Sequence, residues 1–157
     1  MSKIVIGIDP GANGALAVDL GNEVKVFRFC KIDEGVEGVL RGIKDNAKER
    51  NIVCFLEKVG AMPGQGVSTM FTFGENYGRC KGALRALQIP FELVSPQTWQ
   101  KGLGLPQRAK EEDRKSFKVK HKKHLYQKAK DLFPTLATTQ DTADALLIMR
   151  YGREIRK

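Results

Sequence analysis

Short apolar runs alternate with longer amphipathic stretches along the chain. Two of the runs, 4–8 and 52–56, are continuously apolar and rich in branched residues, which is typical of buried central strands. Gly21-Asn22 is a tight-turn signal between two further apolar segments and predicts a hairpin. The pattern as a whole predicts five strands, at 4–8, 14–20, 23–29, 52–56 and 91–94.

The stretches between and after these strands place apolar residues at helical spacing. Val36 and Leu40 share one face of the first predicted helix, and Thr138 or Thr139 can cap the last one. Helices are predicted over 35–50, 68–87, 116–133 and 139–156, with one or two helical turns at 96–102. There are no repeats and no long linker. We therefore expect one α/β domain spanning 1–157, with a mixed five-stranded sheet flanked by helices.

Composition indicates the class of protein and its cellular compartment. The hydrophobic fraction of 41% is that of a globular protein, and no apolar run approaches the length of a membrane span. The first residues look like the start of a strand, so no secretory signal is expected. Three widely spaced cysteines exclude a fully paired disulfide framework and form no zinc-like pair. These features favour a cytoplasmic protein that is not associated with a membrane.

Positive charge is concentrated in one segment. The chain has 27 Lys and Arg against 18 Asp and Glu, a net charge of +9. Residues 101–133 contain eleven Lys or Arg and four acids, so this segment holds +7 of the total. A basic tract of this kind indicates a polyanionic partner, usually nucleic acid, with a solvated lysine-rich helix as the plain alternative. The candidate DNA-binding residues are Lys101, Lys110, Lys115, Lys118, Lys120, Lys122 and Lys123.

Four acids stand where buried elements would normally carry apolar residues. Asp9 closes the first strand, Glu57 closes the fourth, and Asp141 and Asp144 are three residues apart on the last helix. Each acid could also have a purely structural role, as a turn former, a strand-end charge or an acid at a helix N-terminus. If the first and fourth strands are neighbours and the last helix packs across them, all four carboxylates converge. Such a cluster calls for hard divalent cations, and Mg²⁺ suits it.

The chain contains three acidic motifs, Gly7-Ile8-Asp9-Pro10-Gly11, Leu56-Glu57-Lys58-Val59 and Asp141-Thr142-Ala143-Asp144-Ala145-Leu146. These motifs resemble those of RuvC-type Holliday junction resolvases, which belong to the RNase H-like superfamily. Residues 73–90 resemble the long helix and following strand of that family, and 95–101 resemble the segment beyond it. The resemblance runs essentially from end to end, and the order and spacing of the acids make it specific.

The resemblance implies an RNase H-like fold, a homodimer and metal-dependent cutting of four-way DNA junctions that leaves 5′-phosphate and 3′-hydroxyl ends. Asp9, Glu57, Asp141 and Asp144 would be the catalytic metal ligands, with two Mg²⁺ ions per active site and Mn²⁺ as a substitute. Lys101 and Lys120 fall near the DNA-contacting lysines of the family, and Lys115 or Lys118 are alternatives for that role.

Several features depart from the common bacterial form. The loop after Glu57 is longer and carries no aromatic residue at the position that wedges the junction open. Phe71 or Phe73 could replace the missing wedge residue, although both are expected to lie in the core. The segment 115–130 is also unusually basic. Together these departures suggest a divergent, phage-type member, which would act in the cytoplasm of a bacterial host.

Two further features concern packing. Gly74, Gly78 and Gly82 recur every fourth residue, which predicts close packing along one stripe, against either the sheet of the same chain or a second copy. His121 and His124 are expected at the surface of the basic helix.

Three other functions share some of these signals. A less selective endonuclease for flaps, forks or RNA-DNA hybrids would use the same acids. The Asp9-Pro10-Gly11 turn followed by Gly14 also resembles the first phosphate loop of actin-like ATPases and sugar kinases, but those need two such domains. A DNA-binding protein without catalysis has no reason to place four acids beside a polyanion.

Overall fold

A mixed five-stranded sheet forms the centre of the molecule, with strand order β3-β2-β1-β4-β5. The structure is a computed structural model, and it describes residues 3–61 and 63–156. The strands are β1 (Ile4–Asp9), β2 (Ala15–Asp19), β3 (Val24–Arg28), β4 (Ile52–Glu57) and β5 (Phe91–Val94). The helices are α1 (Gly35–Asn46), α2 (Val67–Ala86), α3 (Pro96–Gly102), α4 (Arg114–Leu132) and α5 (Gln140–Ile155). The predicted mixed sheet between helices is confirmed.

Each face of the sheet is covered by a layer of helices. Side chains alternate along β1, so that Ile4, Ile6 and Ile8 pack beneath α1 and α2. Val5 belongs to the other core, which α3, α4 and α5 cover. This double burial explains why β1 and β4 are continuous apolar runs. A short 3₁₀ turn at Phe29–Lys31 was not predicted from the sequence.

The central strands bring two of the acids to the same edge. β1 and β4 run parallel and are paired from Ile4 opposite Ile52 to Ile8 opposite Leu56. Asp9 and Glu57 each follow the last of these pairs, so they leave the sheet side by side. The expectation that the first and fourth strands are neighbours is confirmed.

Helix α5 lies directly against the backbone of β1. A Cβ atom at Gly7 would be 2.3 Å from the Met149 nitrogen and 2.5 Å from the Ala145 carbonyl oxygen. Only glycine permits this approach. Thr139 begins the helix with a reciprocal capping box that includes Thr142. The acids on the first turns of α5 are therefore held against the end of β1.

Two sequence-based expectations about packing are wrong, and one of the two alternatives for the glycine stripe is excluded. His121 is buried, because its Nε2 lies 2.9 Å from the Gln100 Oε1 and its ring stacks on Phe117; His124 is exposed as expected. Phe71 is 70% exposed rather than part of the core. The glycine stripe of α2 does not pack on the sheet of the same chain, since Cβ atoms there would meet nothing within 4 Å.

No helix in the described part of the chain is both long enough and apolar enough to cross a membrane.

Candidate active site

All four predicted acids line one cleft at the carboxyl ends of β1 and β4. The cleft has a volume of about 380 Å³. The turn after β1, α2, α4 and α5 supply its other walls. The lining residues are Asp9, Gly11, Ala12, Asn13, Glu57, Phe73, Lys122, Leu125, Gln140, Asp141, Ala143 and Asp144.

A tight turn fixes Asp9 at the floor of the cleft. The Gly11 N–H donates to the Asp9 Oδ1 at 3.1 Å, and the Gly14 N–H donates to the Gly11 carbonyl at 2.9 Å. A Cβ atom at Gly14 would lie 2.1 Å from the Asp9 carbonyl oxygen, so the turn closes only with glycine there. Burial raises the pKa of Asp9, the Gly11 hydrogen bond opposes this, and the charge of Asp141 adds to the rise.

Glu57 faces Asp9 and Asp144 across the cleft. Its pKa rises to about 8, first because the carboxyl is buried and then because of the two aspartates. The indole N–H of Trp99 donates to the Glu57 Oε2 at 2.8 Å and opposes that rise. Glu57 is therefore a half-buried, largely desolvated carboxyl whose charge is costly unless a cation approaches.

Asp144 has the same character, one turn into α5. Burial and the charge of Asp9 raise its pKa to about 7, and the positive charge of Lys122 opposes the rise. The neighbouring Ala143 and Ala145 are buried, so the backbone of α5 holds this carboxyl against the core. Asp9, Glu57 and Asp144 thus form one electrostatically coupled group.

Asp141 differs from these three because it has a cationic partner. Arg28 and Asp141 form a hydrogen-bonded ion pair in which both side chains are 34% exposed. Pairing across the sheet places Arg28 there, since it lies opposite Ala15, which in turn lies opposite Asp9. The Arg28 Nε is buried without a hydrogen-bond partner among the described residues. The sequence reasoning missed Arg28, and a single basic residue at the end of an edge strand gave no usable signal.

Of the seven candidate DNA-binding lysines, Lys122 is the one that lines the cleft. All seven are exposed. Lys101 lies on α3, Lys110 lies in the loop between α3 and α4, and the remaining five lie on α4. Phe73 also lines the cleft and is half-buried. Positive charge therefore borders the acids from α4.

The chemistry of the cleft fits a hard cation. Its charged donors on the floor are carboxylate oxygens, which Mg²⁺ prefers, and they lie close enough to perturb one another. Within residues 3–61 and 63–156, no group of three or more His, Cys, Asp or Glu side chains is already arranged around a common metal position. The acids therefore border a common space without yet surrounding a single cation position.

Similar proteins were found by structure and not by sequence. No protein-family model and no curated protein matches the chain. The structure is similar to that of T. thermophilus RuvC in complex with Holliday junction substrate, with a TM-score of 0.59, 13% identity, and coverage of 98% of this chain and 96% of that chain. A second Thermus thermophilus RuvC structure gives a TM-score of 0.54, 12% identity and the same coverage. The chain therefore has the RuvC fold, which confirms the predicted RNase H-like class.

Proposed function

We propose that the protein is a divergent RuvC-type Holliday junction resolvase, a metal-dependent endonuclease that cuts four-way DNA junctions. The convergence of four acids in one cleft of a RuvC-like fold carries this proposal. Asp9, Glu57 and Asp144 share the cleft with Asp141, and Lys122 stands at its border. A binding protein would gain nothing from this arrangement, because acids repel the phosphates of its ligand.

The four acids would hold Mg²⁺ ions, two per active site, with Mn²⁺ as a substitute. When bound, the ions would activate a water and stabilise the leaving oxygen of the phosphodiester. The chain's own groups orient the ligands: the Gly11 N–H holds Asp9, and the Trp99 indole holds Glu57. Ligation also lowers the proton affinity of the buried carboxyls, because a cation favours their charged form.

Lys122 would bind the phosphate at the cleavage position. Its positive charge already acts on Asp144, so the ammonium lies at the boundary between the acids and the outer surface. In that position it would neutralise charge that develops on the phosphate during hydrolysis. Water adds to phosphorus and the bond to the 3′-oxygen breaks, which leaves 5′-phosphate and 3′-hydroxyl ends.

The remaining lysines would hold the arms of the branched DNA. Lys115, Lys118, Lys120 and Lys123 are exposed on the same helix as Lys122, and Lys101 and Lys110 lie just before it. Contacts of this kind fix the position of the duplex without reading its sequence. We expect binding to weaken steeply with salt, since each neutralised phosphate releases counterions.

A homodimer would place two clefts on one junction. The outward face of α2 carries the glycine stripe together with Val67 and Phe71, which are 86% and 70% exposed. The three glycines carry no side chains, so a second helix could approach closely along the stripe, and Val67 and Phe71 would supply apolar contact near the start of α2. Two linked active sites would then give paired nicks in symmetric strands.

The decisive experiment compares an immobile four-way junction with a linear duplex and a flap, each incubated with Mg²⁺. We expect paired, symmetric nicks on the junction alone, and none from Asp9→Asn. Asp45→Asn is the matched control, because Asp45 is exposed on α1, away from the cleft. Cutting of every branched substrate would replace the resolvase by a less selective nuclease. Full cutting by Asp9→Asn would refute the chemistry.

A further inference from the structure

Helix α3 brings a buried side chain into contact with the acid cluster from outside the cleft. Trp99 is fully buried and is the only tryptophan of the chain. Its indole N–H donates to the Glu57 Oε2 at 2.8 Å. A buried indole N–H needs an acceptor, and here that acceptor is a carboxylate of the acid cluster and not a backbone carbonyl.

We propose that Trp99 is a positioning residue for Glu57, which fixes the carboxylate so that its second oxygen is available to a cation in the cleft. This inference rests on the proposed function, because it assumes that Glu57 is a metal ligand. A glutamate side chain can adopt several rotamers, so the end of the strand alone does not fix the orientation of its carboxylate. The indole engages one oxygen and so removes most of that freedom before a cation arrives.

The position of the indole is itself tightly determined. Val94 on β5 pairs with Glu57 on β4, and the Lys58 N–H donates to the Val94 carbonyl at 2.8 Å. Trp99 lies five residues after Val94. The pairing of β4 with β5 therefore fixes the position of the Trp99 indole relative to the Glu57 carboxylate. The side chain of Ser95 caps the intervening helix by accepting from the Thr98 N–H at 3.2 Å.

Helix α3 is also held from the opposite side. A Cβ atom at Gly102 would lie 2.5 Å from the Tyr151 ring, so α3 packs directly on α5. The next residue after Trp99, Gln100, contacts His121, which immediately precedes Lys122 on α4. A short helix of seven residues therefore contacts both Glu57 and the segment that carries the cleft lysine.

The test separates the hydrogen bond from simple packing. Trp99→Phe keeps an aromatic side chain in the core and removes the N–H. Leu103→Val is the matched control, because Leu103 lies in the same core as Trp99 and its side chain has no donor for the Glu57 carboxylate. For each protein, Mg²⁺ is added in the absence of DNA and the rise in Tm is followed, since a ligand bound to the folded state raises Tm.

We expect Trp99→Phe to need about tenfold more Mg²⁺ for half of the rise in Tm, as is usual when a group behind a metal ligand is removed. Leu103→Val should lower the starting Tm and leave the required Mg²⁺ unchanged. An unchanged Mg²⁺ requirement in Trp99→Phe would overturn the positioning role, while junction cutting by the wild type would still support the nuclease.

Emission from the single tryptophan gives a second measurement that does not depend on the folding of Trp99→Phe. In the wild type, Mg²⁺ should change the emission in a saturable way, because it alters the charge next to the indole. Glu57→Gln should abolish this change. If Mg²⁺ alters neither Tm nor emission in the wild type, the positioning role is overturned, and the cleavage assay then decides the proposed function separately.

Discussion

Replacement of Glu57 by glutamine should stabilise the metal-free protein at alkaline pH. Burial, and then the charges of Asp9 and Asp144, raise the pKa of Glu57 from 4.5 to about 8. The carboxyl therefore binds its proton more tightly in the folded chain than in the unfolded chain. Its favourable contribution is complete below pH 4.5 and is lost as the pH rises through 8.

The size of the effect follows from this interval. One pKa unit corresponds to about 1.4 kcal/mol, so a rise from 4.5 to about 8 removes about 5 kcal/mol of stability at pH values above the folded pKa. Glutamine stays neutral at every pH and retains an oxygen that can accept from Trp99. At a pH where the carboxyl of the wild type is charged, the Tm of the variant should therefore be about 10 °C or more above that of the wild type. At a pH where the carboxyl is protonated, the two Tm values should be similar.

Thermal unfolding followed by circular dichroism in the presence of EDTA, in acidic and alkaline buffer, measures this difference. Glu111→Gln is the control, since Glu111 is exposed in the loop before α4 and should show no such gain. The reasoning is refuted if Glu57→Gln gains nothing at alkaline pH, or gains equally at both. Added Mg²⁺ should restore stability to the alkaline wild type far more than to the variant.

Three further predictions concern packing, the ion pair and the cleft lysine. Gly7→Ala should cost about 3 kcal/mol or more in urea unfolding, because its Cβ would collide with the α5 backbone at Met149. A double-mutant cycle of Arg28→Met and Asp141→Asn should give a coupling of about 1 kcal/mol, since the pair is partly exposed. Lys122→Gln should lower single-turnover junction cleavage about 100-fold, through loss of charge beside the phosphate.

Control variants and contradicting results can be stated for each of these three predictions. Gly42→Ala meets no atom within 4 Å and should stabilise α1 slightly, so a loss like that of Gly7→Ala would contradict the packing argument. Strict additivity of Arg28→Met and Asp141→Asn would show that the ion pair contributes nothing. Lys44 lies on α1, and Lys44→Gln should cleave the junction at the wild-type rate. If Lys122→Gln cleaves at the same rate, Lys122 has no role in the cleavage step.

Much of the fold was predictable because it depends on local pattern. β1 and β4 are continuous apolar runs, and α5 combines a threonine cap with regular apolar spacing. Asp9 and Glu57 stood out because each ends such a run, and Asp144 stood out because its neighbours are small and apolar. These signals lie within a few residues of the acids, so the sequence shows them directly.

The contacts that complete the site are of another kind. Trp99 and Glu57 are 42 positions apart, and Arg28 and Asp141 are 113 apart. No local pattern links such pairs, and only the sheet order brings them together. His121 was misplaced for a related reason: the lysines around it suggested a solvated helix, while one narrow side of α4 packs on α3 and α5.

The contact between Gly7 and α5 affects how many substitutions the surrounding core can accept. Met149 and Ala145 meet Gly7 through backbone atoms, so the spacing between β1 and α5 depends little on which side chains surround the contact. Substitutions elsewhere in the core can then exchange one apolar side chain for another without moving Asp9 relative to Asp144. A fold built on this contact can tolerate wide changes in the surrounding sequence, provided that the glycines at positions 7 and 14 are kept.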